Sequence, residues 1–151
     1  MLVLTLEAAG AAYALPAADV HEVVPQAQLR ELPHAPAWLR GLLGYRGALV
    51  PVVDLSSLLG GGPTPSRMSV RILIDSTSLG RGRLVGLMAA RVIDVVQAGE
   101  PSLSGLAVPG APYLGGILQL EGRPVQLLRV GALLPEELLA MLYPAEAAVE
   151  R

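Results

Sequence analysis

Two histidines, three aspartates that end or interrupt apolar runs, and one Gly-Gly-Gly segment are the residues of this 151-residue chain best suited to chemistry. His21 and His34 lie thirteen positions apart with no cysteine anywhere, so thiolate metal sites, disulfides and a cysteine nucleophile are excluded. A metal at the histidines would need carboxylates brought from elsewhere, and His21 reads instead as the solvent-facing position of a strand. The absence of lysine removes Schiff-base chemistry and the phosphate-binding lysine of a P-loop. Gly60-Gly-Gly-Pro63 therefore reads as a flexible connector, its proline lacking the amide that a phosphate cradle needs. Asp54, Asp75 and Asp94 stand where aspartate caps the next helix or turn. No Gly-x-Ser-x-Gly elbow and no Gly-x-Gly-x-x-Gly loop occurs. The chain reads as non-catalytic, with no cofactor and no metal.

One segment remains, Tyr45-Arg46-Gly47. Glycine between two strand patterns supplies the positive φ that a tight hairpin requires, which displays Arg46 at the turn. Its two readings are an ordinary solvated turn residue and a guanidinium presented to a partner's carboxylate or carbonyl.

The elements that must position this arginine are short strands. Glycine and proline number 17 and 13 and fall at intervals between short apolar runs, the punctuation of many strands. Strands are predicted at 2–7, 12–15, 20–24, 41–45, 48–54, 70–75, 83–89, 92–97, 114–120 and 123–128. Leu2, Leu4 and Leu6 alternate with Val3, Thr5 and Glu7, giving one dry face. Helical pattern is confined to 35–40, 55–59, 130–134 and 135–142. The sequence also repeats. At an offset of 75, residues 39–59 lie over 114–134 with seven identities and five further apolar exchanges. Near an offset of 72, Val20-His-Glu-Val-Val24 lies over Val92-Ile-Asp-Val-Val96, and Tyr13-Ala-Leu15 under Val85-Gly-Leu87. The repeat places Glu121 at the turn equivalent to Arg46, and Arg129 opposite Asp54. The expected fold is all-β: two similar five-stranded SH3-like β-barrel subdomains sharing a core, with short helices and a C-terminal helix. The expected organisation is one domain over 1–151. Its subdomains are predicted at roughly 13–68 and 69–134, joined at Gly60–Pro65, with the N-terminal strand and C-terminal helix packed against them.

Composition narrows the function. Hydrophobic residues make up 52% and charged residues 16%, with mean hydropathy +0.53, which excludes a disordered tail. No apolar run reaches the length of a membrane span, so direct membrane insertion is not expected. The N-terminus has no basic segment or small-residue cleavage site, and a cytoplasmic location is expected. All eleven cations are arginine, scattered at net charge −2, and aromatics are 3%, so no nucleic-acid footprint is present.

The residues resemble a family. Tyr13-Ala-Leu-Pro-x-x-x-Val-x-Glu-Val23, Leu32-Pro-x-Ala-Pro36, Gly41-Leu-Leu-Gly-Tyr-Arg-Gly-Ala-Leu-Val-Pro-Val-Val-Asp-Leu55 and Val85-Gly-Leu-Met-Ala-Ala-Arg-Val-x-Asp-Val95 together resemble the CheW-like domain, the coupling module of bacterial chemosensory arrays. The resemblance covers about 2–142, and its specific part is Arg-Gly-x-x-x-Pro-x-x-Asp-Leu. It implies two five-stranded barrels and an adaptor. The adaptor links the cytoplasmic tip of a methyl-accepting chemoreceptor to the regulatory domain of a CheA-type histidine kinase. Carried over residue by residue, the receptor-contact arginine falls on Arg46, with further receptor contacts at Val20, Glu22 and Gly41 in the first barrel. In the second they fall on Val70, Gly86 and Val95. The kinase contact is implied at the apolar end of the first barrel. Gly44 stands where the family commonly has asparagine, and Ala90 where it commonly has aspartate, so the chain reads as a divergent paralogue of a chemotaxis or chemosensory-like pathway. A small-molecule-binding regulatory module using the cleft between the barrels is the alternative. Convergent polar groups in that cleft favour the module, and exposed apolar surface beside Arg46 favours the adaptor.

Overall fold

Alternating and fully apolar runs become ten short strands in the computed structural model, which describes residues 1–75, 84–102 and 108–133. In chain order these are β1 (Leu2–Ala8), β2 (Ala11–Pro16), β3 (Val20–Pro25), β4 (Leu39–Tyr45) and β5 (Ala48–Asp54), then the one-turn helix α1 (Leu55–Leu58). They continue with β6 (Arg71–Asp75), β7 (Val85–Ala89), β8 (Arg91–Gln97), β9 (Leu114–Leu120) and β10 (Arg123–Leu128). A 3-10 turn over Val130–Ala132 follows β10. The predicted helix at 135–142 lies outside the described residues. The predicted helix at 35–40 is instead two successive turns, closed by Ala35 N–H to Leu32 O and Leu39 N–H to Pro36 O. Pro33 and Pro36 remove two amide donors there, and His34 sits at φ +62°.

The strands form two five-stranded sheets: a first in the order β3-β6-β7-β5-β4 and a second in the order β8-β1-β2-β10-β9. The class is all-β, as expected, but the units are not the contiguous halves 13–68 and 69–134. β6 and β7 belong to the first sheet, and the N-terminal hairpin β1–β2 completes the second. The reason is visible in the register. Val52 pairs in parallel with Gly86 in the first sheet, and Leu127 pairs in parallel with Ala14 in the second. These are the same positions under the offsets of 75 and 72, so β1–β2 takes the place in the second sheet that β6–β7 takes in the first. Gly60–Pro65 accordingly connects α1 to β6 inside the first unit and is not the joint between the two. The sheets are joined instead through 17–19 and through Ala90, whose N–H donates to Glu7 O at 2.9 Å.

Among the described residues neither sheet closes as a barrel by a continuous ladder, and each has a single bridge across its gap: Arg30 with Leu42 in the first, Ser102 with Ile117 in the second. The bridges again fall at equivalent positions of the repeat.

Three apolar clusters hold the fold. Leu43, Val50, Val52, Val70, Ile72, Ile74 and Met88 fill the first sheet's curl, and Val3, Ala14, Leu118 and Val125 fill the second's. The third lies between the sheets, where Leu4, Leu6 and Leu15 meet Val53, Leu55, Leu73, Val85 and Leu87. A strand that faces one cluster with odd residues and another with even residues is apolar throughout, which is why β6 and β7 read as unbroken hydrophobic runs. Along β4, β5 and their repeat counterparts β9 and β10, Leu43, Val50, Val52, Val53, Leu118, Val125 and Leu128 are buried, while Leu42, Ile117 and Leu127 are half-buried.

Candidate functional site

Arg46 sits at the β4–β5 hairpin in the left-handed region, φ 48°, followed by Gly47 at φ 80°. Two successive positive φ values match the right-handed twist of the flanking strands, and only Gly takes the second without strain. The turn aims the Arg46 side chain back across the open edge of the first sheet. There its Nη2 donates to Glu22 Oε1 at 2.8 Å, and the Tyr45 hydroxyl donates to the same carboxylate oxygen. The Arg46 guanidinium also lies 5.2 Å from the centre of the Tyr45 ring. Glu22 is on β3 and Tyr45 ends β4, the two edge strands of this sheet, so the three side chains form a seam across its gap. The Glu22 hydrogen bond, with burial next, raises the Tyr45 phenol above its ordinary pKa of about 10, and the Arg46 charge works the other way.

Glu22, Gly86 and Gly41 lie on one row across the sheet. The row runs Gly41–Val52–Gly86–Ile74–Glu22 through four consecutive pairings. Gly41 is at φ +145°, where an added Cβ would fall 2.5 Å from Arg30 O. At Gly86 a Cβ would fall 2.9 Å from Ile72 Cγ2 and 3.1 Å from Val52 Cγ2. Both glycines, like Val70, are buried, so they shape the surface from beneath. Val20 is half-buried at the start of β3, opposite Asp75. Val95 is apart from this group, exposed on β8 of the second sheet opposite Leu4. The structure thus joins Glu22 and Arg46 directly, places Val20, Gly41 and Gly86 in the same sheet with Val70 just before its strand β6, and leaves Val95 on the other. Val23, which follows Glu22 on β3, and Leu49, which precedes Val50 on β5, are exposed apolar side chains that strand alternation turns to the face opposite the seam.

A second polar cluster positions the hairpin. Asp54, fully buried at the end of β5, caps α1 by accepting from Ser56 N–H (3.1 Å) and Ser57 N–H (3.4 Å). It also accepts from Thr64 N–H (2.9 Å), Thr64 Oγ1 (2.6 Å) and Arg40 Nη1 (2.8 Å). Gly60–Pro65 is therefore held down rather than a flexible connector, and a Cβ on Gly61 would fall 2.7 Å from Ala9 Cβ. The capping role was legible in Asp54 preceding Leu-Ser-Ser; the long-range partners Arg40 and Thr64 were not.

The cleft between the sheets holds a groove of about 600 Å³, bordered by Tyr13, Leu58, Leu59, Tyr113, Leu114 and Gln126. Its polar groups do not converge on a ligand: Tyr113 donates to Leu58 O at 3.3 Å, and Gln126 donates to the Gly115 carbonyl. Among the described residues no group of His, Asp and Glu is placed to hold a metal, and no helix is long and apolar enough to cross a membrane.

The family model for the CheW-like domain matches residues 2–138. The chain belongs to the CheW-like domain family. It is 29% identical to the chemotaxis protein CheW of Rhizobium meliloti (strain 1021) over 110 residues, 70% of this chain and 69% of that protein. With the protein FrzA of Myxococcus xanthus the identity is 30% over 124 residues, 80% of this chain and 76% of that one. A shorter stretch of 65 residues is 32% identical to the protein PilI of Pseudomonas aeruginosa, 43% of this chain and 36% of that protein. The fold matches the crystal structure of the scaffolding protein CheW from Thermoanaerobacter tengcongensis with a TM-score of 0.77, at 23% identity, over 89% of this chain and 87% of that one. The two interleaved sheets described above are thus the CheW fold.

Proposed function

We propose that this CheW-like chain is a cytoplasmic, non-catalytic adaptor. It couples the cytoplasmic tip of a methyl-accepting chemoreceptor to the regulatory domain of a CheA-type histidine kinase in a chemotaxis or chemosensory-like pathway. The observation that carries the reading is the Glu22–Tyr45–Arg46 seam: a guanidinium fixed at the open edge of a sheet whose other face carries exposed Val23 and Leu49, so that charge and apolar surface occur on the same unit. Arg46 keeps several of its five N–H donors free to meet a receptor carboxylate or carbonyl while one is held by Glu22. Val20, Glu22 and Arg46 are the first-sheet residues with surface to offer the receptor, Gly41, Val70 and Gly86 set the backbone beneath them, and Val95 extends the contact to the second sheet. The ligand-binding alternative is not favoured by the cleft, where Tyr113 and Gln126 are spent on backbone carbonyls of the chain itself.

Isothermal titration against the cognate kinase regulatory domain and, separately, the receptor tip tests this. Binding of both with a negative heat-capacity change is the expected result. Failure of both to bind at tens of micromolar, about −6 kcal/mol, overturns it.

A further inference from the structure

The two sheets differ at the seam where their duplication should make them alike. Offsets of 72 and 75 carry Glu22 to Asp94 on β8, and Tyr45 and Arg46 to Leu120 and Glu121 at the β9–β10 hairpin. The backbone is preserved: Glu121 and Gly122 have φ of 52° and 76°, against 48° and 80° for Arg46 and Gly47. The charge is not. Two carboxylates stand where the first sheet has an ion pair, and the tyrosine hydroxyl is gone. Among the described residues neither Asp94 nor Glu121 pairs with a cation; Asp94 Oδ1 accepts only from its neighbour, Val95 N–H, at 2.8 Å.

The consequence is an opening. Between the edge strands β8 and β9 lies a groove of about 450 Å³ bordered by Thr5, Ile93, Asp94, Gln119, Glu121 and Arg123. One arginine against two carboxylates leaves it net acidic. Ile93 on its border is 46% exposed. Both flanking strands end their sheet, and among the described residues their outer backbone groups have no ladder partner beyond the Ser102–Ile117 bridge.

We infer that this open seam docks an arginine-bearing extended segment of a protein partner. The guanidinium fork would meet Asp94 and Glu121, supplying in trans the cation that Arg46 supplies in cis on the first sheet. The segment's backbone would add to the edge of β8 or β9, and an apolar side chain would cover Ile93. A small free cation satisfies the carboxylates but neither the strand edges nor the apolar border. The seam lies on the other sheet from Arg46 and meets the receptor-coupling reading only at Val95, next to Asp94 on β8; its arginine docking can fail while the Arg46 contact stands.

The test is amide chemical-shift mapping of the full chain with a short end-capped peptide of alternating threonine and valine carrying one central arginine. Shifts are expected at Ile93–Gln97 and Gln119–Val125. Replacing the peptide's arginine with citrulline, or the protein's acids by Asp94→Asn with Glu121→Gln, should weaken binding about tenfold. The same spectra report whether the double variant is folded, and Arg46→Ala should leave the peptide affinity unchanged. Absence of shifts at millimolar peptide, shifts elsewhere, or shifts indifferent to the double variant overturn the inference. Shifts at these amides on concentrating the protein alone assign the seam to a second copy of the chain and also overturn it.

Discussion

Glu22 and Arg46 meet at 2.8 Å across 24 residues of sequence, and their ion pair spans the gap between the two edge strands of the first sheet. Both partners are substantially exposed, 37% and 68%, so water screens the attraction and the pair contributes at most about 1 kcal/mol. An interaction too weak to matter much for folding still fixes the direction in which Arg46 points. That separation of roles makes the site testable.

Arg46→Ala should therefore change stability by no more than about 1 kcal/mol and weaken receptor binding by about 1–3 kcal/mol. Arg46→Glu should be worse for the receptor, since it adds repulsion from Glu22 within the chain and from any acidic partner group. The swap Glu22→Arg with Arg46→Glu should restore thermal stability without restoring receptor affinity. Titrations run beside thermal melts decide: recovery of both in the swap would reduce the pair to a structural clasp, and a folded Arg46→Ala protein with unchanged receptor affinity would remove Arg46 from the site.

Much of this was legible in the residues, because local rules governed it. The Gly47 hairpin and the Asp54 cap follow from single-residue chemistry, and the structure contains both. The strand over Leu2–Glu7 is also present, but it buries Val3 and Thr5 as well as Leu4 and Leu6 and leaves Leu2 exposed. It is sandwiched between two apolar clusters rather than dry on one face. The repeat itself was readable too, including the match of Tyr13-Ala-Leu15 to Val85-Gly-Leu87. What it meant was not. That match marks the N-terminal hairpin as the partner of β10, a pairing across more than one hundred residues that no local pattern states. Likewise the hydroxyl of Tyr45 finds Glu22 only because the sheet curls, and curl is a property of five strands together.

Tyr45 gives the seam a pH signature. Its phenol is raised above about 10, first by the hydrogen bond to Glu22. A raised acid stays neutral in the folded state after the unfolded chain has ionised. Its stabilising contribution is thus complete below pH 10 and is lost as pH climbs through the folded-state value. Ultraviolet difference titration should show one tyrosine ionising late because of this contact, and Glu22→Ala should bring that transition down towards the ordinary value. Titration curves identical in the two proteins would mean the hydroxyl does not hold to Glu22 in solution.

Gly41 tests whether the row beneath the site is steric. A Cβ there would press to 2.5 Å from Arg30 O at a φ of +145°, so Gly41→Ala must push apart the Arg30–Leu42 bridge. A cost of about 2–3 kcal/mol is expected, from overpacking and backbone strain together. Faster amide exchange at Arg30 and Leu42 should accompany it. Gly44→Ala is the control: it has no atom within 4 Å of an added Cβ and should stay within about 0.5 kcal/mol. Equal effects at the two glycines would contradict a steric role for Gly41.

The largest single loss is expected at Asp54. Its carboxylate, fully buried, accepts from two helix amides, from the Thr64 amide and hydroxyl, and from Arg40. Asp54→Ala removes the cap of α1, about 1 kcal/mol, and leaves the buried Thr64 amide and hydroxyl without an acceptor, each costing about 1–3 kcal/mol. Arg40 adds little to the sum, because its side chain is 31% exposed and can turn to water. A total of about 3–7 kcal/mol is expected by urea unfolding. Thr64→Val deletes only the 2.6 Å hydroxyl bond and should cost about 1 kcal/mol, while Thr64→Ser should cost less, keeping the donor and losing a methyl group. Because 60–65 is pinned to α1 through this carboxylate, Asp54→Ala should also expose that segment to limited proteolysis in the folded protein. A variant that loses less than about 1 kcal/mol and shows no new cleavage would mean that the cap alone, and not the anchoring of Thr64, is what Asp54 contributes.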